Sequence, residues 1–352
     1  MNKQPLLYIL ISAALFGISP PFAKLLVSGI MPVALAGLLY TGAFLGLGLF
    51  RFGQRAWAGA PEGRGAGLKK RDLPWLATAT VFGGIIAPIS LLYGLRLTSG
   101  FTASLLLNLE GVATALIAVF FFKENAGKRL WLALACMTSA GVFLAWDPEQ
   151  RSFNIAGPLL IALSMLCWGI DNNATRHISA RDPIQIAMIK GLVSGTASLA
   201  LAWLLGMEIP WSGRTALALL LGALSYGVSL VFFIKALASL GSFRAGLFFS
   251  LAPFIGAIAS LVLFREWIGW GMFLAAGLMI AGIWLLIEER HEHLHTHEAI
   301  AHKHEHRHDD LHHGHEHDDA PAETHIHRHT HGPETHSHAH WPDIHHRHGH
   351  EA

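Results

Sequence analysis

Between Leu6 and Ile287 the chain holds ten apolar stretches of membrane-spanning length, and the last five read as a diverged copy of the first five. Crossing about 30 Å of hydrocarbon takes roughly 20 helical residues. The spans fall near 6–27, 32–51, 74–95, 101–122, 129–146, 155–176, 184–205, 214–235, 244–264 and 268–287. The internal match is carried by named residues. Phe16-Gly17-Ile18-Ser19-Pro20-Pro21-Phe22-Ala23-Lys24 aligns with Trp168-Gly169-Ile170-Asp171-Asn172-Asn173-Ala174-Thr175-Arg176, at an offset of 152. Gly100-Phe101 with Phe122-Lys123-Glu124 aligns with Ser242-Phe243 with Phe264-Arg265-Glu266, at an offset of 142. The offset shrinks because only the first half carries the basic loop from Phe52 to Asp72. A unit of five crossings has an odd number, so its second copy enters from the opposite side, the plan of many secondary transporters. The fold class predicted is therefore an all-α polytopic membrane protein of ten transmembrane helices in two inverted five-helix repeats, residues 1–147 and 148–287, followed by a tail over 288–352.

A composition 52% hydrophobic and only 14% charged fits that class and no ordinary soluble domain. The first apolar run is long and lacks a small-residue cleavage site, so it is expected to stay as the first helix. Lys and Arg set the orientation. With the N-terminus inside, the inner segments before the tail hold 14 (Lys3, six from Arg51 to Arg71, three from Lys123 to Arg129, Arg176, Arg181, Lys235 and Arg244), against five outside. The positive-inside rule then puts both termini in the cytoplasm. The net charge of +1 reflects topology, not nucleic-acid binding. Cys136 and Cys167 lie in spans, give no disulfide framework and read as packing residues. Gly42 and Gly46 have the small-xxx-small spacing that lets helix backbones approach.

These features resemble the EamA family of the drug/metabolite transporter superfamily. The residues that carry the likeness are the paired halves, the Phe16-Gly17 and Trp168-Gly169 corners, Pro253 within span nine, and Phe122-Lys123-Glu124 with Phe264-Arg265-Glu266. The resemblance covers residues 5–287. It implies ten helices in two inverted repeats, a central cavity, and solute movement by alternating access, often export across the bacterial inner membrane. It does not imply a substrate. The first half departs from the pattern in having Gly111 where the second has Pro253, and a polar Asn108-Leu109-Glu110 in a usually apolar region.

Ionisable groups in hydrocarbon are costly, by about 2.5–3.5 kcal/mol on insertion scales, so each is a candidate functional group. Glu110 falls about 14 Å from the start of its span, close to the midplane. There it can load a proton from one side and release it to the other, or simply hydrogen-bond a neighbouring helix. Asn108 lies about 200° around the helix from Glu110, so both face one cavity only if the helix unwinds near Gly111. Asp171-Asn172-Asn173 occupies the repeat position of Ser19-Pro20-Pro21. Pro20 and Pro21 leave carbonyls unpartnered, and Asn172 and Asn173 can serve a cation or polar solute, unless span six merely ends early there. Lys190 and Asp171 lie about 9 Å and about 8 Å from the same face, depths that allow an ion pair, structural or gating. Lys24, Arg96, Arg176 and Lys235 sit near helix ends, where such side chains snorkel. Glu124 and Glu266 read as caps of spans five and ten. No enzyme motif appears.

Of 24 histidines, 23 fall in residues 288–352, many in alternation. His291, His293, His295, His297, His302, His304, His306, His308, His312, His313, His315 and His317 are candidate metal ligands. With almost no large apolar residues the tail is expected to be disordered without ligand. Neutral imidazoles suit zinc, nickel, cobalt or copper, and the irregular spacing argues against one tetrahedral site. Three functions follow. The first is export of a small metabolite or metal chelate, possibly proton-coupled, with a metal-sensing or buffering tail. The second is efflux of a divalent ion through Glu110, Asp171 and Asn108. The third is a membrane-anchored metal store. The expected partners are a small solute, the bilayer and divalent metal ions, with no obligate cofactor.

Overall fold

In a computed structural model of the protein, residues 4–58, 67–122, 128–147, 152–153, 155–210, 212–266, 269–287, 291–297, 300–306, 325–331 and 334–340 are described. They form two units, residues 1–289 and 290–352. The first is helical: α1 (Gln4–Gly17), α2 (Ser19–Val27), α3 (Pro32–Ala58), α4 (Leu73–Thr78), α5 (Ala87–Leu97), α6 (Gly100–Leu106), α7 (Leu109–Phe122), α8 (Lys128–Ala145), α9 (Ala156–Ile178), α10 (Pro183–Leu204), α11 (Gly213–Leu221), α12 (Ser229–Phe249), α13 (Leu251–Phe264) and α14 (Trp270–Ile287). Two-residue strands β1 (Trp146–Asp147) and β2 (Ser152–Phe153) pair antiparallel between α8 and α9.

Prolines and caps set the helix starts. Pro32 and Pro183 open α3 and α10, where a missing N–H costs nothing. The Asp182 carboxylate accepts from the Ile184 and Gln185 amides at 2.9 and 3.2 Å and caps α10. Between α1 and α2, Pro20 and Pro21 remove two donors, yet the Ile18 amide still reaches the Ala14 carbonyl at 3.3 Å, so the result is a kink and not a loop. Span three joins α4 to α5 through a π-helical stretch, Ala79–Ile86, and α11 joins α12 through another, Gly222–Val228.

Among the described residues five continuous helical segments are long and apolar enough to cross a membrane: Gln4–Val27, Pro32–Gly53, Lys70–Leu97, Pro183–Leu204 and Gly213–Leu240. Trp131–Leu144, Leu251–Phe264 and Trp270–Leu285 are shorter apolar helices. The unit is apolar outside: Val262, Trp203 and Trp270 are 77%, 78% and 90% exposed. Its interior holds Lys190, Asp171, Asn173, Asn108 and many serines. Only a lipid environment reconciles that distribution with the hydrophobic effect. A Cβ on Gly42 would overlap the backbone of Leu219, and one on Gly46 would press on the Ala223 methyl, so these two glycines let α3 lie directly on α11 and the π-helical stretch that follows.

Two boundaries differ from the sequence expectation. The loop expected between spans eight and nine is helical: α12 runs unbroken through residues 236–243, a proline-free segment whose alanines and leucines favour helix and in which Gly241 is tolerated. The helix expected over 101–122 is interrupted at Leu107–Asn108, not at Gly111, and restarts as α7.

In the second unit the described residues pair as β3 (His291–His297) antiparallel to β6 (Glu334–His340) and β4 (Ile300–His306) antiparallel to β5 (His325–His331). Strict alternation of histidine with other residues is a period-two pattern, the period of a strand. In register, His291, His293 and His295 stand opposite His340, His338 and His336, and His302, His304 and His306 opposite His329, His327 and His325. His308, His312, His313, His315 and His317 lie outside the described residues, as do Lys123 and Glu124.

Candidate functional site

A cavity of about 60 Å³ opens among the helices of the first unit. Phe16 comes from α1, Tyr40 from α3, Glu110 from α7, Trp168, Asp171 and Asn172 from α9, and Lys190 from α10. Ser225 and Tyr226 come from the second π-helical stretch, and Ser229, Leu230, Phe233 and Phe249 from α12. Seven helical elements thus meet at one chamber whose lining combines six aromatic side chains with six polar or charged ones.

Three ionisable side chains line it. The Lys190 ammonium donates to both Asp171 oxygens at 2.7 Å, and Thr175 Oγ1 donates to Asp171 Oδ1 at 2.8 Å. The ion pair that the matched depths allow is thus present, with Lys190 only 1% exposed. Asn172 Nδ2 donates to Glu110 Oε1 at 2.6 Å. That bond joins the two polar constellations, 62 residues apart in sequence, into one wall of the cavity.

Gly83 explains why Asp171 can stand there. Any Cβ at this position would overlap the Asp171 carboxylate. Its carbonyl, in the π-helical stretch, accepts from both the Tyr40 hydroxyl at 2.7 Å and Trp168 Nε1 at 3.0 Å. A π turn displaces backbone groups from the regular ladder and is frequent at functional sites. The second π-helical stretch supplies Ser225 and Tyr226, and its Ser225 hydroxyl donates to the Leu15 carbonyl at 2.6 Å. At the offset of 142, Ser225 is the counterpart of Gly83. Helix irregularity at corresponding positions of two halves is the sequence pointer to a transport site, and here it falls on residues that composition did not single out.

Other expected site residues lie elsewhere. Asn108 is buried against α14, donating to the Leu105 carbonyl at 3.2 Å and to Met279 Sδ at 3.7 Å. Asn173 turns back to the Gly169 carbonyl at 2.8 Å. Pro20 and Pro21 are buried in α2 and shape the kink without lining the cavity. Glu110, Asp171 and Asn108 therefore do not form one ligand set. Among the described residues no group of three His, Cys, Asp or Glu side chains is placed to hold a metal ion. Tyr40, Tyr226, Phe233 and Phe249 were not legible as site residues, since aromatics in apolar spans are ordinary.

The ends of the bundle are tied by separate contacts. Arg51 pairs with Asp182 at 2.9 Å and Arg181 with Asp72 at 2.8 Å, joining α3, α10 and the segment before α4. At the opposite end Glu266 accepts from the Gly100 and Phe101 amides at 2.7 and 2.8 Å. The cap expected on span ten is thus on α6. Arg265, left-handed at φ 51°, ends α13 and turns the chain toward it. Lys24, expected to snorkel, instead donates to the Leu95 and Thr98 carbonyls at the end of α5.

The profile of the EamA-like transporter family matches residues 3–146 and again 155–288. A protein described as an uncharacterized transporter of Methanothermobacter thermautotrophicus is 26% identical over 295 residues, 79% of this chain and 84% of that one. A crystal structure with 16% identity superposes with a TM-score of 0.57 over 79% of this chain and 94% of its own, a likeness of fold alone.

Proposed function

The chain belongs to the EamA-like transporter family, a family of membrane transporters of the drug/metabolite type, and we propose that it is a secondary transporter exporting a small metabolite across the bacterial inner membrane. In this reading ten helices in two inverted five-helix repeats, with both termini cytoplasmic, rock about the cavity to expose it to one side and then the other. The observation that supports it is the convergence of Glu110, Asp171 and Lys190 with aromatic side chains around one cavity. A carboxyl set among helices is a group on which a proton can travel, and Glu110 is the candidate coupling residue. The tail binds zinc, nickel, cobalt or copper and senses or buffers metal in the cytoplasm. Direct efflux of a divalent ion is the less favoured reading, because Asn108 lies apart and Asp171 is already held by Lys190.

Comparative profiling of small solutes and metals, inside cells and in the medium, tests the proposal. Cells expressing the chain should show at least one solute depleted inside and enriched outside, and cells expressing Glu110→Gln should not. Identical profiles for the two, with both proteins present in the membrane, would remove Glu110 from the mechanism.

A further inference from the structure

We propose that the cavity selects compact organic monocations, protonated amines or quaternary ammonium head groups, over zwitterions and anions. The inference rests on the transport reading for its purpose but on charge placement for its content. Three charges face the chamber, and two of them cancel. Lys190 reaches both oxygens of Asp171 at 2.7 Å, so a solute carboxylate could engage the ammonium only by displacing a bidentate partner already in place. Among the described residues Glu110 has no cationic partner of that kind: the neutral amide of Asn172 donates to one oxygen, at 2.6 Å. The exposed electrostatic demand of the site is therefore a single negative group. A lone carboxylate beside a neutralised ion pair asks for one positive charge.

The walls agree. Phe16 packs edge-on to Trp168 at 5.4 Å between ring centroids and lies 5.4 Å from Phe249. Phe249 meets Phe233 at 4.9 Å, and Tyr226 meets Tyr40 at 5.4 Å. Linked aromatic rings present faces of negative potential, which attract ammonium groups and disfavour carboxylates. The volume, about 60 Å³, holds on the order of four or five water molecules, which admits a small head group and not a bulky solute.

Tetramethylammonium, glycine betaine and methanesulfonate carry one positive charge, both charges, and one negative charge. Isothermal titration of the purified full chain with each is the test. Tetramethylammonium should bind, betaine and methanesulfonate should bind at least about tenfold more weakly, and Glu110→Gln should weaken tetramethylammonium by at least about tenfold, the loss expected when a charged partner is removed. Asp171→Asn, which frees the Lys190 charge, should narrow the gap between tetramethylammonium and betaine. No tetramethylammonium binding, equal or tighter binding of betaine or methanesulfonate, or binding indifferent to Glu110→Gln in a variant with unchanged melting temperature would overturn the proposal. Flux of tetramethylammonium in proteoliposomes separates the two ideas. Binding without flux would sink the transport reading and leave the cation preference standing.

Discussion

The Lys190 ammonium sits 2.7 Å from both carboxylate oxygens of Asp171, across the contact between α10 and α9, and both residues line the same cavity. Two opposite charges in an apolar interior stand only as a pair. Removing one leaves the other uncompensated, at about 3–5 kcal/mol, whereas replacing both with apolar groups can be neutral. Lys190→Met is therefore expected to lower the melting temperature of the detergent-purified chain sharply, and Lys190→Met with Asp171→Leu to recover most of the loss. Thermal unfolding of the single and double variants checks this; equal destabilisation would mean that the charges act independently.

Gly83 offers a way to disturb the pair without touching it. A methyl there collides with the Asp171 carboxylate, while Gly111, with open space around its Cβ position, is the matched control. Gly83→Ala should reduce solute export by roughly tenfold or more, as small misplacements of a working group do, and Gly111→Ala should be close to wild type. Export by Gly83→Ala at the wild-type rate would show that the carboxylate position does not matter.

The Glu266 carboxylate holds two otherwise unpartnered amides, Gly100 and Phe101, at the start of α6. Hydrogen bonds to a charged acceptor contribute about 1.5–3 kcal/mol each, so Glu266→Ala is expected to destabilise the first unit measurably and Glu266→Gln by less. Hydrogen–deuterium exchange should show the change concentrated at residues 100–106. Unaltered protection there would assign the cap no energetic weight.

How much of this was legible in the sequence follows from what each residue's signal depends on. Glu110, Asp171 and Lys190 announced themselves because an ionisable side chain in an apolar run is expensive, and that cost is local. Asn172 was legible as polar, but its partner was not, since a hydrogen bond to Glu110 across 62 positions leaves no periodic trace. Asn108 lies about 200° from Glu110 on a regular helix and was expected to share its cavity only if the helix unwound near Gly111; the turn falls at Leu107–Asn108 instead and sends its side chain to Met279. Glu266 was recognised as a cap, yet its helix is fixed by tertiary packing and not by the next residues in the chain. The aromatic walls and the π-helical stretches were silent, for aromatic side chains suit any apolar helix and a shifted backbone ladder does not alter hydrophobic period. The stretches hold Gly83, Gly84 and Gly222, where a Cβ would collide with a neighbour, but a glycine in an apolar span does not by itself signal a shifted ladder.

The tail can be tested apart from the membrane unit. In β3 with β6, and in β4 with β5, histidine stands opposite histidine at three successive alternate positions of each ladder. Directly opposed residues of antiparallel strands lie about 4.5–5.5 Å apart at their α-carbons. Pairs at that spacing, repeated along both ladders, favour many exchangeable two-imidazole sites over one closed tetrahedral centre. The full chain is therefore expected to bind several zinc or nickel ions, and the chain ending at Glu289 to lose them. Binding should weaken as pH falls below about 6.5, where imidazole takes up a proton and gives up the lone pair that metal needs. Metal titration at pH 7.5 and 5.5 on both chains decides it. Cellular zinc, nickel and cobalt under metal load add the functional half of the answer. If metal content follows the tail and ignores Glu110→Gln, the histidines act as a buffer beside a permease for another solute. If it survives loss of the tail and falls with Glu110→Gln, the ion or its chelate is the cargo.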